Sequence, residues 1–410
     1  MDYTSTTNHF PELRKRAADE GLFHRAPMRS LISLVLTTAG YIGCFVTLAI
    51  VQNVWFVILD AICLAIICGQ FGFLMHDAGH HQIFRRAWKN TVFGSIAALA
   101  NGTSLHSWVF GHNEHHEHPN HEDLDPDIDI YFLAYSEKQV DEANPILRFF
   151  APYQALYATV LYTFVVYFMR YGNIPRLIRH YKPKEYLVDL TLMALWHVAY
   201  FGTLYFLVGF WNMLLFAFVH HAVTGLHLAL AFAPNHKGMP MFQRDDKINW
   251  FTKQVVTSRN IYSHPLTNFF YGGLNFQIEH HLFPTMPRVH LKKAHEITRA
   301  FCKENDVDYC ETSIIESYKA VYTHLAEIGQ YAKSLRKPVA ELQQQLHYLL
   351  KELEADIDAL THVDELRLIA KQHVQKIKAM KTMQHKKLLQ AQKEIREISS
   401  VVRASRLAKA

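Results

Sequence analysis

Apolar sequence dominates the first 235 residues in two long blocks. Residues 31–75 carry a single charge, Asp60, and are interrupted only around Gln52-Asn53. Each half is more than about 20 residues long, enough for a helix rising 1.5 Å per residue to cross a hydrocarbon layer roughly 30 Å thick. The pattern predicts a helical hairpin with its turn near Gln52. Residues 186–210 and 211–233 repeat the pattern and meet at the uncharged turn from Gly209 to Asn212, which predicts a second hairpin. Arg25 and Arg29 precede the first hairpin and Arg85, Arg86 and Lys89 follow it. Arg176, Arg179, Lys182 and Lys184 precede the second, and Lys237 follows. Both hairpins are therefore expected to start and end in the cytoplasm.

Between the hairpins the pattern weakens. Residues 91–110 are apolar but broken by Asn101, Gly102, Thr103, Ser104 and His106, which suits an interfacial helix. Residues 153–170 are long enough to cross. A crossing there would place the sequences on either side of it on opposite membrane faces, so an interfacial or re-entrant course is expected if the histidines discussed below share metal. After Pro240 the sequence reads as soluble and mixed helical to about residue 335. From Val339 onward there is no Gly or Pro, and Leu342, Leu346, Leu349, Leu353, Ile357 and Leu360 recur at helical spacing. The acidic first part and basic second part of this tail suit two helices folded on each other, or one long helix pairing between chains into an oligomer. The expected organisation is all-α and integral to the membrane. Residues 1–30 form a cytoplasmic segment, 31–335 a membrane domain of four transmembrane helices in two hairpins with interfacial helices and a cytoplasmic cap, and 336–410 a charged helical tail.

Composition narrows the function. The net charge of +5 is modest and dispersed, so no nucleic-acid partner is implied, whereas contact with an anionic membrane face is. Five cysteines without paired spacing give neither a disulfide framework nor a thiolate metal site. The first 30 residues lack a small-residue cleavage site, and no removed signal peptide is expected.

Histidine supplies the chemistry. Three clusters, His76-Asp77-Ala78-Gly79-His80-His81, His112-Asn113-Glu114-His115-His116 and Gln277-Ile278-Glu279-His280-His281, lie next to the apolar blocks. Residues three or four apart share one helical face, which groups His76 with His80, His112 with His115 and His116, and Gln277 with His280 and His281. His81 lies further round its helix, as a ligand or a neighbour of one. About eight imidazoles suffice for two ions with open positions, and redox iron suits them better than structural zinc, which favours closed, cysteine-containing sites. Asp77, Glu114 and Glu279 are candidates to accept an imidazole N–H. The acidic run from Glu122 to Asp129 could make contacts behind the metal ligands but reads first as a solvated cytoplasmic loop. His220, His221 and His227, inside an apolar block, suit helix-to-helix hydrogen bonds better than ligation.

The three clusters, in this order and between two hydrophobic hairpins, resemble the histidine boxes of the membrane-bound fatty acid desaturases. Gln277 in place of the first histidine of the third box resembles the subgroup with the front-end and many bacterial acyl-CoA desaturases. The resemblance covers about residues 30–325. It implies a cytoplasmic cap holding two Fe ions that use O2 and two electrons to place a cis double bond in a fatty acyl chain, carried as acyl-CoA or acyl-lipid. It implies His76, His80, His112, His115, His116, His280 and His281 as ligands, and His236 resembles the additional ligand after the fourth membrane helix. Gln277 is left between direct binding, binding through water and orienting a neighbour. Trp108, Phe110, Trp196 and Phe216 are candidates to line an acyl tunnel, with plain packing favoured.

No His-Pro-Gly-Gly haem signature occurs, so the electrons are expected from a separate carrier, a ferredoxin with its reductase or a free cytochrome b5. Membrane lipids are the other expected partners. A bacterial plasma membrane is favoured over the endoplasmic reticulum. Two alternatives stay open: a lipid hydroxylase using the same di-iron ligands, and a non-enzymatic metal-handling membrane protein.

Overall fold

The computed structural model describes residues 8–51, 53–336, 339–358, 364–378 and 385–407. The chain is helical almost throughout. A short amphipathic helix, α1 (Phe10–Asp19), precedes the first hairpin, α2 (Pro27–Ile50) and α3 (Val54–Gly79). The Asn53 side chain starts α3 by accepting from the Trp55 amide at 2.9 Å; Gln52, the other residue of the expected turn, lies outside the described residues. Helix α3 is the buried one, packed against α2, α4 (Ala87–Ala100) and α11 (Pro183–His236). Its Leu64 and Cys68 pack with Leu48 of α2 and Trp196, Tyr200 and Phe216 of α11. Helix α2 turns Val35, Leu36, Val46 and Ile50 outward, as α11 does Val198, Phe206, Trp211 and Phe218. So large an exposed apolar surface belongs against lipid. Helices α2, α3 and residues Tyr186–His236 of α11 are long and apolar enough to cross a bilayer.

Helix α11 reverses within its length. Gly209 has φ +76° and ψ 173°, a conformation open essentially to glycine alone. Twenty residues of straight helix would separate Tyr200 from His220 by about 30 Å. Instead the Tyr200 hydroxyl lies 2.7 Å from His220 Nδ1. The two limbs pack side by side, and the expected hairpin is present with its turn at Gly209. His220, His221 and His227 bond within this helical packing: His221 to Tyr167, and His227 Nε2 to the Phe270 carbonyl.

Residues 91–110 differ from the single interfacial helix expected. Helix α4 ends at Ala100, Gly102 turns the chain at φ +60° against the Trp196 ring, and Ser104 caps α5 (Leu105–Glu117). Asn101 binds the Cys68 carbonyl, so the polar interruption docks onto α3. Helices α6 (Glu137–Glu142), α7 (Pro145–Phe150), α8 (Gln154–Tyr162), α9 (Val165–Tyr171) and α10 (Ile174–His180) follow. The helix ending at Tyr162 and α9 meet at a bend of 73°, the shape of a broken or re-entrant segment.

A cap completes the first compact unit, residues 1–142 and 153–326. It contains α12 (Trp250–Val256), α13 (Pro265–Phe270), α14 (Gln277–Leu282) and α15 (Leu291–Glu304), and two parallel two-residue strands, β1 (Asn260–Ile261) and β2 (Glu311–Thr312). Leu13 and Ala17 of α1, Phe251, Ile278, Leu282, Ala294 and Phe301 form its core. Helix α16 (Ile314–Ser334) runs from this unit into the next.

The second unit comprises residues 143–152 and 327–410. Its tail forms three helices, α17 (Val339–Asp358), α18 (Asp364–Lys378) and α19 (His385–Leu407), each packed on the other two. Leu346, Leu350, Leu353, Ile357, Val374, Ile377 and Ile395 make a common core, so the tail folds on itself with one more helix than the pattern suggests.

Candidate metal centre

Four separated segments converge on one buried cluster of imidazoles. The last turn of α3 carries His76, with His80 at its C-cap. Helix α5 contributes His112, His115 and His116, the C-terminus of α11 contributes His236, and α14 contributes His280 and His281. The donor atoms of His76, His80, His112 and His280 all lie within 4.8 Å of one another, and those of His115, His236 and His281 form a second such group. His116 stands between the groups, with its ring centroid 4.7 Å from that of His280 and 4.3 Å from that of His281.

The spacing within the cluster suits shared ions. Nε2 atoms lie 3.1 Å apart for His76 and His280, 3.0 Å for His112 and His116, and 3.3 Å for His115 and His236. Two nitrogens each about 2.1 Å from one ion come about 3.0–3.5 Å apart at octahedral or tetrahedral angles. Among the described residues, His80 Nε2, His116 Nδ1, His280 Nδ1 and His281 Nε2 are buried without a hydrogen-bond partner, a costly arrangement unless they bind something else.

In the second group the ring orientation is fixed from behind. His115 Nδ1 donates to Asp125 at 2.9 Å, His236 Nδ1 to the Thr257 carbonyl at 2.9 Å, and His281 Nδ1 to Gln254 Oε1 at 2.9 Å. Gln254 is itself held, donating to the His116 carbonyl. All three rings therefore turn an Nε2 lone pair toward the cluster, as metal-binding histidines do. Asp125 also accepts from the Asn120 and Asp127 amides. Burial alone would push its carboxyl up, but His115 and then Lys237 outweigh that and bring it down to about 2. Burial, followed by the neighbouring imidazoles, holds His80, His112, His116, His280 and His281 well below the usual imidazole range. Neutral rings are the form that binds metal.

Gln277 lies against the second group. Its Oε1 accepts from Asn235 at 3.0 Å and its Nε2 is 2.9 Å from His236 Nε2. Because Asn235 also donates to the Ala231 and Leu274 carbonyls, its amide orientation is set, and Gln277 presents its NH2 toward His236. His81 is not brought in: it is exposed, at φ +54°, outside both groups. Of the carboxylates within the clusters, Asp77 pairs with Arg288 at 2.6 Å and lies 3.6 Å from His76 Nδ1. Glu279 accepts from Asn260 and Tyr309 rather than from an imidazole, and burial raises its pKa. Trp108 stacks on His112 with ring centroids 4.3 Å apart, while Trp196 and Phe216 pack between helices.

Gln254 and the Thr257 carbonyl are the site residues that sequence reading missed, and it singles out Asp125 only as one of an acidic run. Asp125 sits in the acidic run read as solvated. Its one local signal is its place ten residues after His115, within an Asp-rich turn.

The family profile of fatty acid desaturases matches residues 52–313. The chain is 30% identical to a Delta(8)-fatty-acid desaturase of Euglena gracilis, over 80% of this chain and 81% of that protein. It is 29% identical to an acyl-lipid (9-3)-desaturase of Physcomitrium patens over 79% of this chain, and spans 63% of that relative's length. A Delta(5) fatty acid desaturase of Caenorhabditis elegans is 26% identical over 81% of this chain and 76% of its own.

Proposed function

The chain belongs to the fatty acid desaturase family, and on that premise we propose that it inserts a cis double bond into a fatty acyl chain, presented as acyl-lipid or acyl-CoA. The observation that carries this reading is the convergence of three histidine clusters and His236 into two adjacent donor groups. When bound there, two irons supply the O2-dependent, two-electron removal of two hydrogens from unactivated methylenes.

The chain's own residues do the rest. His76, His80, His112 and His280 would hold one ion and His115, His236 and His281 the other, with the His116 ring between the two sets. Asp125, Thr257 and Gln254 keep the second set in one tautomer, and Gln277 borders that set beside His236 Nε2. His81 serves outside the metal shell. Burial of the rings excludes water from an oxidant that would otherwise react unproductively.

The α2–α3 hairpin and the two limbs of α11 make four crossings. The basic residues Arg25, Arg29, Arg85 and Arg86 support a cytoplasmic metal cap, at a bacterial plasma membrane in preference to the endoplasmic reticulum. Electrons come from a separate ferredoxin or cytochrome b5 with its reductase.

Expression in a desaturase-deficient host with a competent reductase, followed by fatty-acid analysis, tests the reading. A new unsaturated acid two hydrogens lighter than its precursor is expected. A product heavier by one oxygen would make the chain a hydroxylase, and an unchanged acyl profile would overturn both assignments.

A further inference from the structure

Helix α13 follows the second hairpin in a stretch that reads as soluble, yet it packs beside membrane-spanning helices. The Phe269 carbonyl accepts from Gln70 of α3 at 3.0 Å, and the Phe270 carbonyl from His227 of α11 at 2.8 Å. Gln70 precedes His76 by six residues and His227 precedes His236 by nine, so these contacts lie about 9 and 13 Å further into the helices than the metal cluster. Counting roughly 20 residues of span from Val54 and from Phe210 puts the hydrocarbon edge near residues 74 and 230. The end of α13 thus lies inside that edge.

Its chemistry matches the depth. Between Arg259 and Glu279 the chain has no Asp, Glu, Lys or Arg. Leu266 is 63% exposed and Phe269 46%, and Tyr262 is 55% exposed on the preceding strand edge. Of the last two carbonyls of α13, that of Phe269 accepts from both the Gly272 amide and Gln70, and that of Phe270 from His227. At its start, His264 accepts from the Leu266 amide. An exposed apolar element with its backbone ends capped is suited to hydrocarbon, where an unpaired backbone group is costly.

We infer that α13 is inserted into the bilayer as an interfacial wedge, with Leu266 and Phe269 in contact with acyl chains. Within the cap the chain therefore approaches α14 from the lipid side, through residues 271–276, which include Gly272 and Gly273 at φ +58° and +82°. This inference needs only the membrane embedding and is independent of which metal the histidines hold.

The test uses the full chain in lipid nanodiscs, with Leu266→Trp, Phe269→Trp and, as a water-exposed reference, Lys293→Trp on α15. Emission added by each new tryptophan is quenched with lipid brominated on its acyl chains or with aqueous iodide. Lipid bromine is expected to remove about half or more of the added emission at 266 or 269, and iodide little, as for a helix lying about 5–10 Å into the interface. Lys293→Trp should show the reverse. Quenching by iodide without an effect of brominated lipid at both 266 and 269 would overturn the inference and make the patch a docking face for a soluble partner. The Phe269→Trp exchange keeps an aromatic ring, so the test survives a folding defect at Leu266.

Discussion

The Oδ1 of Asp125 accepts the Nδ1 proton of His115 at 2.9 Å. The carboxylate is buried and also receives two backbone amides. This pair ties the loop after α5 to the second donor group and fixes which nitrogen of His115 faces the cluster. Asp125→Asn keeps the shape but lets the amide present NH2 to the ring. A fall of about 10–100-fold in metal affinity is expected, seen as preferential loss of one of two irons on titration with a chelator, with the fold retained by circular dichroism. Unchanged chelator resistance would contradict the role.

His81 and His281 separate adjacency in sequence from membership of the site. His281→Ala removes a buried donor and should lower product formation by more than the roughly 10–100-fold associated with losing an outer partner. His81→Ala, at an exposed position, should leave turnover within about twofold and iron content unaltered. Equal losses in the two variants would place His81 among the ligands.

The buried imidazoles also set a pH dependence. Their pKa values lie well below the usual 6.5 in the folded chain, through burial first and neighbouring rings second. The unfolded chain takes up these protons near pH 6.5 and the folded chain does not, so stability rises with pH through that window and is lost as pH falls below it. Each such histidine contributes up to about 1.4 kcal/mol per pH unit. Chelator-treated protein should therefore melt at progressively lower temperature from pH 7 to pH 5.5, and iron should protect against this loss. A flat profile would mean that the rings are solvated.

Gly209 isolates backbone strain from packing. A Cβ there meets nothing within 4 Å, so Gly209→Ala should cost only the conformational penalty, about 1–3 kcal/mol. Thermal unfolding in detergent should shift downward while iron content stays constant. No shift would mean that the limbs of α11 turn without that conformation.

The sequence reveals the apolar helices and the three clusters because both rest on short-range regularities, helix length and three- or four-residue spacing. Gly209 was legible as a turn for the same reason. What escaped depends on contacts between distant segments. Asp125 looks like its acidic neighbours until His115 is placed over it, and the Thr257 carbonyl has no side-chain signature at all. The break between α4 and α5 is visible in sequence as polarity, but its meaning comes from Asn101 on Cys68 and Gly102 on Trp196. The tail shows apolar periodicity without Gly or Pro, which leaves the number of helices open.

Iron-edge X-ray absorption combined with metal quantitation on the purified chain tests the central claim most directly. Two irons per chain, coordinated mainly by imidazole nitrogen at about 2.1 Å, are expected, falling below one in His281→Ala. A single ion per chain, zinc in place of iron, or a metal content indifferent to His281 would contradict a shared two-iron centre built from the three clusters.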